Sequence, residues 1–598
     1  MHATRKFFTK AKCNRPRPRR HPFSYSCTMI RASTTIAVLS AGAVLVQGLD
    51  NGLARTPQMG YNSWYDLMGT LTEDAIKDTA DAMVELGLLE LGYTYLNLDD
   101  DWASGRDGAT GRLVADPKHW SNGTLAAAAA HAHGRGLLFG TYTDRGTQTC
   151  GGRPGAQGSE ALDAQTYADW GVDYLKEDSC HAKDDPADGF RQYRFMRDAL
   201  NATGRAILFS LCGWHSWYAP PDPAHNYTGG TGLGNSWRIG PDDTNWGGVL
   251  ANIDINAGLA AYAGPGGWND PCLLLSTTWD SKQRVTELQS RSQFSMWAVM
   301  ASPLLISGNL RNISDYTLET YKNAEVIRVS QDAAGKQGTR IVGGPLKGGK
   351  GPAPARTSAA ACGSSSSSSS SSSGRWAWGT GAAAGYLLNT HSKLALNVDD
   401  CKQDLVYFSP VTKGTTCVGP SGVQFDNLRF NATVVSAGPA AGLSRVQSAM
   451  DGHCVTQGAG AGGGALSLAP CDDKDARQLW LISPADSAGS FTLANSATKA
   501  CMDGESSTAS ATNVWARPLA SGGAAAVFLN NGAADANIDC DAACFAAMGF
   551  KTGATLAVRD LWAHADLPLI TVTSATAFVA DGTGTANGGA TMFTFTPQ

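Results

Sequence analysis

Eight short apolar segments recur along residues 50–340, and stretches with helical signals separate them. Alternation of nearly continuous apolar strands with helices predicts a parallel sheet covered by helices. Eight such units in about 290 residues have the size of a (β/α)8 barrel, in the α/β class. The segments are MGYNSW (59–64), YTYLNLDD (93–100), LLFGTYTD (137–144), VDYLKED (172–178), AILFSLCG (206–213), SWRIGPD (236–242), AYAGPGGWND (261–270) and SPLLISG (302–308). A doubly wound open sheet is the alternative, but its Gly-x-Gly-x-x-Gly fingerprint is missing after the first strand.

Polar and aromatic side chains stand near the ends of these segments. A lone acid after a strand commonly caps a loop or a helix. Several acids and aromatics at the same phase, however, converge on one rim of a barrel, where active sites are built. They are Trp64, Asp99, Asp100, Tyr142, Asp144, Lys176, Asp178, Cys212, Trp214, Arg238, Asp242, Trp268 and Asp270.

Carboxylates beside Trp and Tyr side chains are typical of carbohydrate chemistry. Aromatic rings stack on sugar faces, carboxylates accept hydrogen bonds from hydroxyls, and two carboxyl groups suffice for glycoside cleavage. The sequence contains no His-x-x-x-His pair and no Walker motif, so we expect neither a metal nor another cofactor. A charged fraction of 17% and a net charge of −5 argue against nucleic acid as a partner.

Long ordered motifs give this chain a resemblance to glycoside hydrolase family 27, the melibiases or α-galactosidases. The resemblance covers nearly all of residues 49–342 and resumes at 514–519 and 556–564. The motifs include LDNGLARTPQMGYNSW (49–64), LDDDW (98–102), YTDRGTQTC (142–150), YLKEDSC (174–180), SWRIGPD (236–242), AGPGGWNDP (263–271) and WAVMASPLLISGNLRN (297–312).

The resemblance implies a retaining, exo-acting α-galactosidase with two catalytic carboxyl groups about 5–5.5 Å apart. Asp178 takes the position of the nucleophile, and Asp242 takes that of the acid/base. It also implies a disulfide between Cys150 and Cys180.

The remaining rim residues are implied to bind the sugar. Lys176 and Arg238 would hold hydroxyls and keep the nucleophile ionised, while Asp99 and Asp100 would clamp the hydroxyls at C4 and C6. Trp64, Tyr142 and Trp268 would form walls of the pocket, to which Cys212, Trp214 and Asp270 also belong.

Four departures from the family pattern concern the pocket. Gly213 stands where Glu is common, so recognition of the substituent at C2 is open between hydroxyl and acetamido. Cys272 replaces an Asp and removes a rim carboxylate, while Asp243 stands where Ile is common. Glu177 replaces an aromatic before the nucleophile and is expected to point away from its neighbours, with a tuning effect only.

The segment after the barrel interrupts the resemblance. A Gly/Ser-rich linker is predicted over 343–374, with ten consecutive serines at 364–373. Residues 375–512 resemble ricin-type β-trefoil lobes, each with a cysteine pair and a Gln-x-Trp motif. Such lobes imply disulfides Cys401–Cys417 and Cys454–Cys471. The insert would bind galactose, or would be a disulfide-stapled β module that binds nothing.

Residues 513–598 read as alternating strands that resemble the family's C-terminal antiparallel β-sandwich, with Cys540 and Cys544 as a local pair. Residues 1–48 read as a leader whose signal peptide could start at Met29. Without that leader the chain has 38 Lys and Arg against 52 Asp and Glu, and is distinctly acidic.

Fourteen cysteines and five Asn-x-Ser/Thr sequons favour the secretory pathway, ending outside the cell or in a lysosome or vacuole. A transit peptide is the alternative reading of the leader. The sequons are at Asn122, Asn201, Asn226, Asn312 and Asn431.

The expected partner is a carbohydrate with terminal α-linked galactose; neither nucleic acid nor a membrane is expected. A homodimer is left open. α-N-acetylgalactosaminidase and β-L-arabinopyranosidase are the enzymatic alternatives. A carbohydrate-binding protein with a catalytically silent barrel is the alternative from a different class.

Overall fold

The computed structural model describes most of the chain between residues 49 and 598. Within that part no helix is long and apolar enough to cross a membrane. The described ranges are 49–183, 185–213, 230–277, 285–346, 356–358, 375–380, 384–390, 394–398, 406–410, 416–418, 424–426, 428–436, 438, 440–449, 452–457, 466–487, 489–503, 510–573, 578–579 and 588–598.

A curled parallel sheet forms the first domain and confirms the predicted barrel class. Each of the eight predicted segments contains one of its strands, and a short antiparallel hairpin, β3 with β4, follows β2. The strands are β1 (Met59–Asn62), β2 (Tyr95–Asn97), β3 (Ala103–Arg106), β4 (Leu113–Ala115), β5 (Leu138–Asp144), β6 (Tyr174–Asp178), β7 (Leu208–Leu211), β8 (Ser236–Arg238), β9 (Trp268–Asp270), β10 (Leu274–Leu275) and β11 (Leu304–Ser307).

The seventh barrel strand is interrupted. Its first part, β9, pairs with β8, and its second part, β10, pairs with β11. Between the parts, Pro271 offers no backbone N–H for pairing, and Cys272 has a φ of 113°, which a residue with a side chain rarely adopts. The break therefore places Pro271 to Leu273 at the rim.

Helices cover the outside of the sheet and pack on it through one large apolar core. Several of these helices start at a side chain that accepts a backbone N–H group; among them Thr72, Asp185, Asn245 and Thr286 cap α2, α5, α6 and α7. The helices are α1 (Trp64–Leu67), α2 (Glu73–Glu85), α3 (Ala126–Gly134), α4 (Glu160–Trp170), α5 (Pro186–Ala202), α6 (Trp246–Asn256), α7 (Glu287–Val299), α8 (Asp315–Lys322) and α9 (Ala324–Ser330).

The insert is β-rich, as predicted, and its paired strands are antiparallel. Buried Trp376, Phe430, Trp480 and Phe491 are among the side chains of its separate core. The Cys454–Cys471 disulfide is present, while Cys401 lies outside the described residues. After β12 (Thr339–Val342) the strands are β13 (Arg356–Ser358), β14 (Trp376–Trp378), β15 (Leu387–Asn389), β16 (Leu394–Val398), β17 (Val406–Pro410), β18 (Thr416–Val418), β19 (Gln424–Asp426), β20 (Phe430–Val434), β21 (Ser444–Ser448), β22 (Cys454–Gln457), β23 (Leu466–Ala469), β24 (Leu479–Ile482), β25 (Leu493–Asn495) and β26 (Cys501–Asp503).

The C-terminal domain contains a six-stranded antiparallel sheet in the order β12, β27, β28, β33, β30, β31. A Cys540–Cys544 disulfide lies where α10 begins. The elements are β27 (Thr512–Pro518), β28 (Ala524–Asn530), β29 (Asp539–Cys540), α10 (Ala542–Ala547), β30 (Thr555–Asp560), β31 (Ala565–Thr571), β32 (Phe578–Val579) and β33 (Gly589–Pro597).

Two segments differ from their predicted assignments. Strand β12, predicted as the end of the barrel domain, pairs with β27 and belongs to the C-terminal sheet. Strand β13 lies inside the predicted linker and pairs with β26 of the insert. In both cases the partner strand lies more than 140 residues further along the chain, so local composition carried no sign of the pairing. The serine run and the leader lie outside the described residues.

Candidate active site

A buried ion pair at the carboxyl-end rim joins β6 to the segment that follows β2, across the intervening strand β5. The Lys176 ammonium donates to Asp99 Oδ2 at 2.7 Å, and the Asn62 amide donates to the same oxygen at 2.8 Å. Lys176 also lies over the ring of Tyr142, 5.0 Å from its centroid. These contacts fix the Asp99 carboxylate within the barrel mouth.

Asp178 ends strand β6 and is almost fully buried. Its Oδ2 accepts from the Tyr142 hydroxyl at 3.1 Å, and its Oδ1 accepts from the backbone N–H of Ser179 at 2.8 Å. Burial raises the pKa of Asp178, while the charge of Lys176 opposes the rise. The carboxyl is therefore held in a fixed orientation in a poorly solvated site.

A disulfide between Cys150 and Cys180 lies beside this carboxyl, as the resemblance implied. The Tyr142 hydroxyl is 3.2 Å from Cys150 Sγ. Asp144 accepts backbone N–H groups of Gly146 and Cys180, so this acid supports the loops behind Asp178.

Asp242 follows β8 and is half exposed, with 51% of its side chain accessible. Its Oδ1 lies 2.9 Å from Arg238 Nη1, whose own side chain is 4% exposed. Burial alone would raise the pKa of Asp242, but the charges of Arg238 and Lys176 outweigh it and lower the pKa. Asp242 thus faces the opening, while Asp178 lies deeper.

A narrow cavity lies at this rim, with about 10 Å³ of space accessible to the centre of a water molecule. Some of its lining residues were predicted from the sequence and others were not. Along the chain they are Asn62, Tyr174, Lys176, Ser210, Cys212, Arg238, Asp270, Leu273 and Leu305. Cys212 is a buried free thiol whose sulfur lies 3.7 Å from Arg238 Nη1. Burial raises the pKa of Asp270, against the charge of Arg238.

The predicted residues do not all meet in this cavity. Lys176, Cys212, Arg238 and Asp270 line it, whereas Asp99, Tyr142, Asp178 and Asp242 are not among its lining residues. Trp268 is fully buried two positions before Asp270, and its indole N–H donates to the Ala54 carbonyl at 2.8 Å, so it packs below the cavity lining. Trp64 begins α1 and is partly buried. Asp100 accepts the backbone N–H of Gly151 at 2.7 Å. Trp214 lies outside the described residues.

Asn62, Tyr174 and Ser210 are lining residues that the sequence reasoning missed. Tyr174 and Ser210 each stand two positions before a predicted residue of the same segment, so strand alternation could have indicated them. Asn62 lies within the first segment, two positions before Trp64, and its link to Asp99 crosses strands that are distant in sequence.

One group of potential metal ligands occurs in the described part of the chain, namely Asp144, Cys150, Asp178 and Cys180. Both cysteines are bound to each other in the disulfide, so their sulfurs cannot act as thiolate ligands. Two carboxylates alone make a poor fit for a resident metal ion.

Three family profiles match the chain. The profile described as "Alpha galactosidase A" matches residues 57–332, and "Alpha galactosidase C-terminal beta sandwich domain" matches 509–585. "Ricin-type beta-trefoil lectin domain-like" matches 426–516.

Curated relatives match about half of the chain. A "Probable alpha-galactosidase" of Dictyostelium discoideum is 41% identical over 52% of this chain and 76% of that protein. "Alpha-galactosidase 3" of Arabidopsis thaliana is 44% identical over 49% of this chain and 64% of that protein. The crystal structure of alpha-galactosidase I from Mortierella vinacea superposes with a TM-score of 0.57 at 22% identity, covering 91% of this chain and 98% of that one. That likeness concerns the fold.

Proposed function

The chain belongs to the α-galactosidase (melibiase) family, glycoside hydrolase family 27, and from this premise we propose that it is a retaining exo-α-galactosidase. It would remove terminal α-linked D-galactose from oligosaccharides or glycoconjugates. The observation that carries the proposal is the pair of carboxyl groups at one rim: Asp178 buried and oriented, Asp242 half exposed and paired with Arg238. Related proteins named as α-galactosidases support the substrate.

The proposed reaction uses the two carboxyl groups in two steps. The Asp178 carboxylate attacks the anomeric carbon, and the glycosidic bond breaks as the leaving oxygen takes a proton from Asp242. Asp242 then accepts a proton from water, the water oxygen bonds to the anomeric carbon, and the bond to Asp178 breaks. The product leaves with its original configuration, and both carboxyl groups return to their starting state.

The electrostatics of the site determine which carboxyl group carries the proton before substrate binds. In the free protein Arg238 lowers the pKa of Asp242, while burial raises that of Asp178. The reactive form needs the proton on Asp242, whereas these directions favour it on Asp178. Because the charge of Asp242 also raises the pKa of Asp178, the two acids titrate as a pair. We therefore expect a bell-shaped pH dependence of kcat/KM whose two apparent pKa values belong to the pair.

Asp99, Lys176 and Asp270 are proposed to bind the sugar hydroxyls. Asn62 and Lys176 donate hydrogen bonds to Oδ2 of the Asp99 carboxylate, and its Oδ1 accepts a hydrogen bond from the backbone N–H of Asp100. Lys176 presents the remaining donors of its ammonium to the cavity it lines. Charged acceptors and donors in one poorly solvated cavity favour a polyol over an apolar ligand.

Hydrolysis of nitrophenyl α-galactoside tests the proposal. We expect kcat of Asp178→Asn to fall by at least 10³-fold, because the amide cannot form the glycosyl ester. Asp242→Asn is expected to lose activity less on this substrate, since nitrophenolate needs little protonation. Asp198→Asn on the exposed face of α5 is the matched control. Wild-type turnover no higher than that of Asp178→Asn would refute the enzyme and favour a silent, carbohydrate-binding barrel.

Three substrates separate the enzymatic alternatives. Nitrophenyl α-galactoside, its α-N-acetylgalactosaminide and nitrophenyl β-L-arabinopyranoside differ at C2 or C5 and are compared by kcat/KM. We propose galactose, since the curated relatives named above are α-galactosidases. A higher kcat/KM on the acetamido sugar would assign the space left by Gly213 to that substituent.

We propose that the insert is a glycan-binding module, supported by its match to ricin-type lectin domains. The Gln478 side chain of its Gln-x-Trp motif binds the Asp472 N–H and the Pro470 carbonyl, and Trp480 is buried in the insert core. This motif therefore stabilises the lobe itself. Retention of the Asp178→Asn protein on immobilised galactose, lost when residues 347–509 are also replaced by a short Gly/Ser turn, tests binding by the insert. Equal retention of the two proteins would mean that the insert is a disulfide-bonded β module that does not bind galactose.

We propose a location outside the cell or in a lysosome-like compartment. The four sequon asparagines in the described residues, Asn122, Asn201, Asn312 and Asn431, are all exposed, which suits glycosylation. A mass that falls on treatment with an N-glycosidase, after expression in a secreting eukaryotic host, is the expected result. An unglycosylated protein retained inside the cells would contradict this proposal.

A further inference from the structure

The loop that carries Asp242 contains neither helix nor strand. It runs from the end of β8 to the start of α6, and side chains of Arg238 and Asn252 hold part of its backbone. The Asn252 amide of α6 donates to the Pro241 carbonyl at 3.0 Å and to the Pro271 carbonyl at 2.7 Å. The position of Asp242 thus depends on what anchors this loop.

Asp243 is the most deeply anchored carboxyl of that loop, with no exposed surface. Its Oδ2 accepts from the Gln293 amide of α7 at 3.2 Å. The Cys272 thiol, in the break of the seventh strand, lies beside this carboxyl and acts to lower its pKa. Its Oδ1 has no partner among the described residues.

Gln293 connects this carboxyl to the broken strand. Its amide also donates to the Leu273 carbonyl at 3.1 Å, and its Oε1 accepts the Leu275 N–H at 2.9 Å. The Asp242 loop, α7 and the strand break therefore meet at one buried side chain. Two of the family departures, Asp243 and Cys272, are in direct contact here.

We propose that Asp243 is a positioning residue for the reaction proposed above: as a neutral carboxylic acid it ties the Asp242 loop to Gln293 and Cys272, and so holds Asp242 against Arg238. The inference rests on the proposed function. Asp243 does not touch substrate in this scheme; it acts through Asp242.

Burial favours the neutral form of Asp243 and raises its pKa to about 8, with Arg238 and the Cys272 thiol opposing the rise. Ionisation would place a second negative charge next to Asp242, and both carboxylates would compete for the Arg238 guanidinium. The ionisable and charged groups around Asp243 are Arg238 on β8, Asp242 in the same loop, Asp270 and Cys272 at the strand break, and Tyr65 on α1.

The pH dependence of kcat/KM tests the inference with Asp243→Asn, which stays neutral at every pH and keeps an oxygen acceptor. Above about pH 8 the wild type is expected to lose two protons from functional groups, so log kcat/KM falls with a limiting slope near −2 per pH unit. The variant should keep activity within about threefold below pH 7 and fall with a slope near −1. Superimposable profiles would overturn the inference. Asp198→Asn, exposed on α5, is the control expected to match the wild type.

Two further variants keep the test decisive if Asp243→Asn folds poorly. Gln293→Leu removes the α7 donor and retains Asp243, and Asp243→Ala removes the carboxyl. Each should lower kcat at least fivefold with KM changed less than twofold, and the double variant should lose no more than the worse single one. Independent, additive effects or wild-type kcat in both would refute positioning. Absence of wild-type hydrolysis would instead reject the proposed function.

Discussion

Glu177 precedes the proposed nucleophile, and its side chain has no solvent exposure. Neither carboxylate oxygen has a hydrogen-bond partner among the described residues. Burial, reinforced by Asp144 and Glu160, raises the pKa of Glu177 well above its ordinary value of 4.5. Strand alternation turns it away from Lys176 and Asp178, so its effect falls on stability more than on chemistry.

Stability should depend on pH through this residue. The unfolded chain ionises Glu177 near pH 4.5, whereas the folded protein keeps its proton to higher pH. The free energy of unfolding therefore falls as pH rises above 4.5, by at most about 1.36 kcal/mol per pH unit. Glu177→Gln removes this term, and we expect it to exceed the wild type by about 1–3 kcal/mol at pH 7 and to match it near pH 4.

Urea unfolding at pH 4 and pH 7 provides the measurement. Glu85→Gln, exposed at the end of α2, is the matched control and should change stability equally at both pH values. A difference between wild type and Glu177→Gln that is the same at pH 4 and pH 7 would show that Glu177 is ionised in the folded protein.

For single residues, the sequence indicated which acids point into the barrel, because side chains alternate between the two faces of a strand. The sequence could not show how far along the barrel axis each side chain lies. Trp268 and Asp270 lie on the same face of their strand, yet only Asp270 lines the cavity. Contacts such as Asp243 with Cys272 also escaped prediction, since they join segments that are separate in sequence.

The eight barrel strands were predictable as elements because each is a continuous apolar run, buried on both faces. The hairpin β3–β4 was not, since its strands are short and partly exposed. The split of the seventh strand results from Pro271, a residue that the sequence displays but whose effect on the barrel required the pairing partners.

Arg517 on β27 is fully buried and links two barrel helices. Its guanidinium donates to the Ala298 carbonyl near the end of α7 and to the Val329 and Ser330 carbonyls at the end of α9. Burial lowers its pKa to about 10, so it stays charged at neutral pH. The last carbonyls of a helix have no N–H partner in a following turn. The Arg517 cation donates hydrogen bonds to such carbonyls at the carboxyl ends of two helices.

Arg517→Met should destabilise the protein by about 3 kcal/mol or more, because several buried carbonyls lose charged donors. Arg328→Met, exposed on α9, is the control and should change stability by less than about 0.5 kcal/mol. Thermal unfolding of the full chain measures both. An Arg517→Met transition at the wild-type temperature would mean that water replaces the lost donors.

At the scale of the molecule, the insert leaves and re-enters the C-terminal sheet at one place. Leu346 and Ser510 form a β-bridge, and the Asn513 amide donates to the Gly344 carbonyl at 2.9 Å. Gly343 has a φ of +88°, and a Cβ there would lie 2.4 Å from both Asn513 Nδ2 and Thr512 O, so glycine is required at this neck. Leu346 is tied to the barrel through Asp254, at 2.9 Å.

Replacing residues 347–509 by a short Gly/Ser turn should therefore leave the barrel and the C-terminal sheet folded. We expect kcat/KM for nitrophenyl α-galactoside to stay within about threefold of the wild type, because none of the neck residues described above belongs to the proposed active site. Activity on a polymeric galactoside is expected to fall if the insert binds glycans.

The matching control keeps the insert and changes Gly343→Val, which should disturb the neck and lower thermal stability. Loss of activity on the small substrate after deletion, with a normal unfolding transition, would show that the insert contributes to the active site itself.

The closed neck has a consequence in polymer terms. Once Leu346 and Ser510 are held together, the entropic cost of the intervening loop grows only with the logarithm of its length, about 0.6 kcal/mol for each doubling. A domain of any size whose own ends meet can occupy this opening at nearly the same free energy. The neck is thus a tolerant insertion point, and the length of what it carries is nearly neutral for the folding of the hydrolase around it.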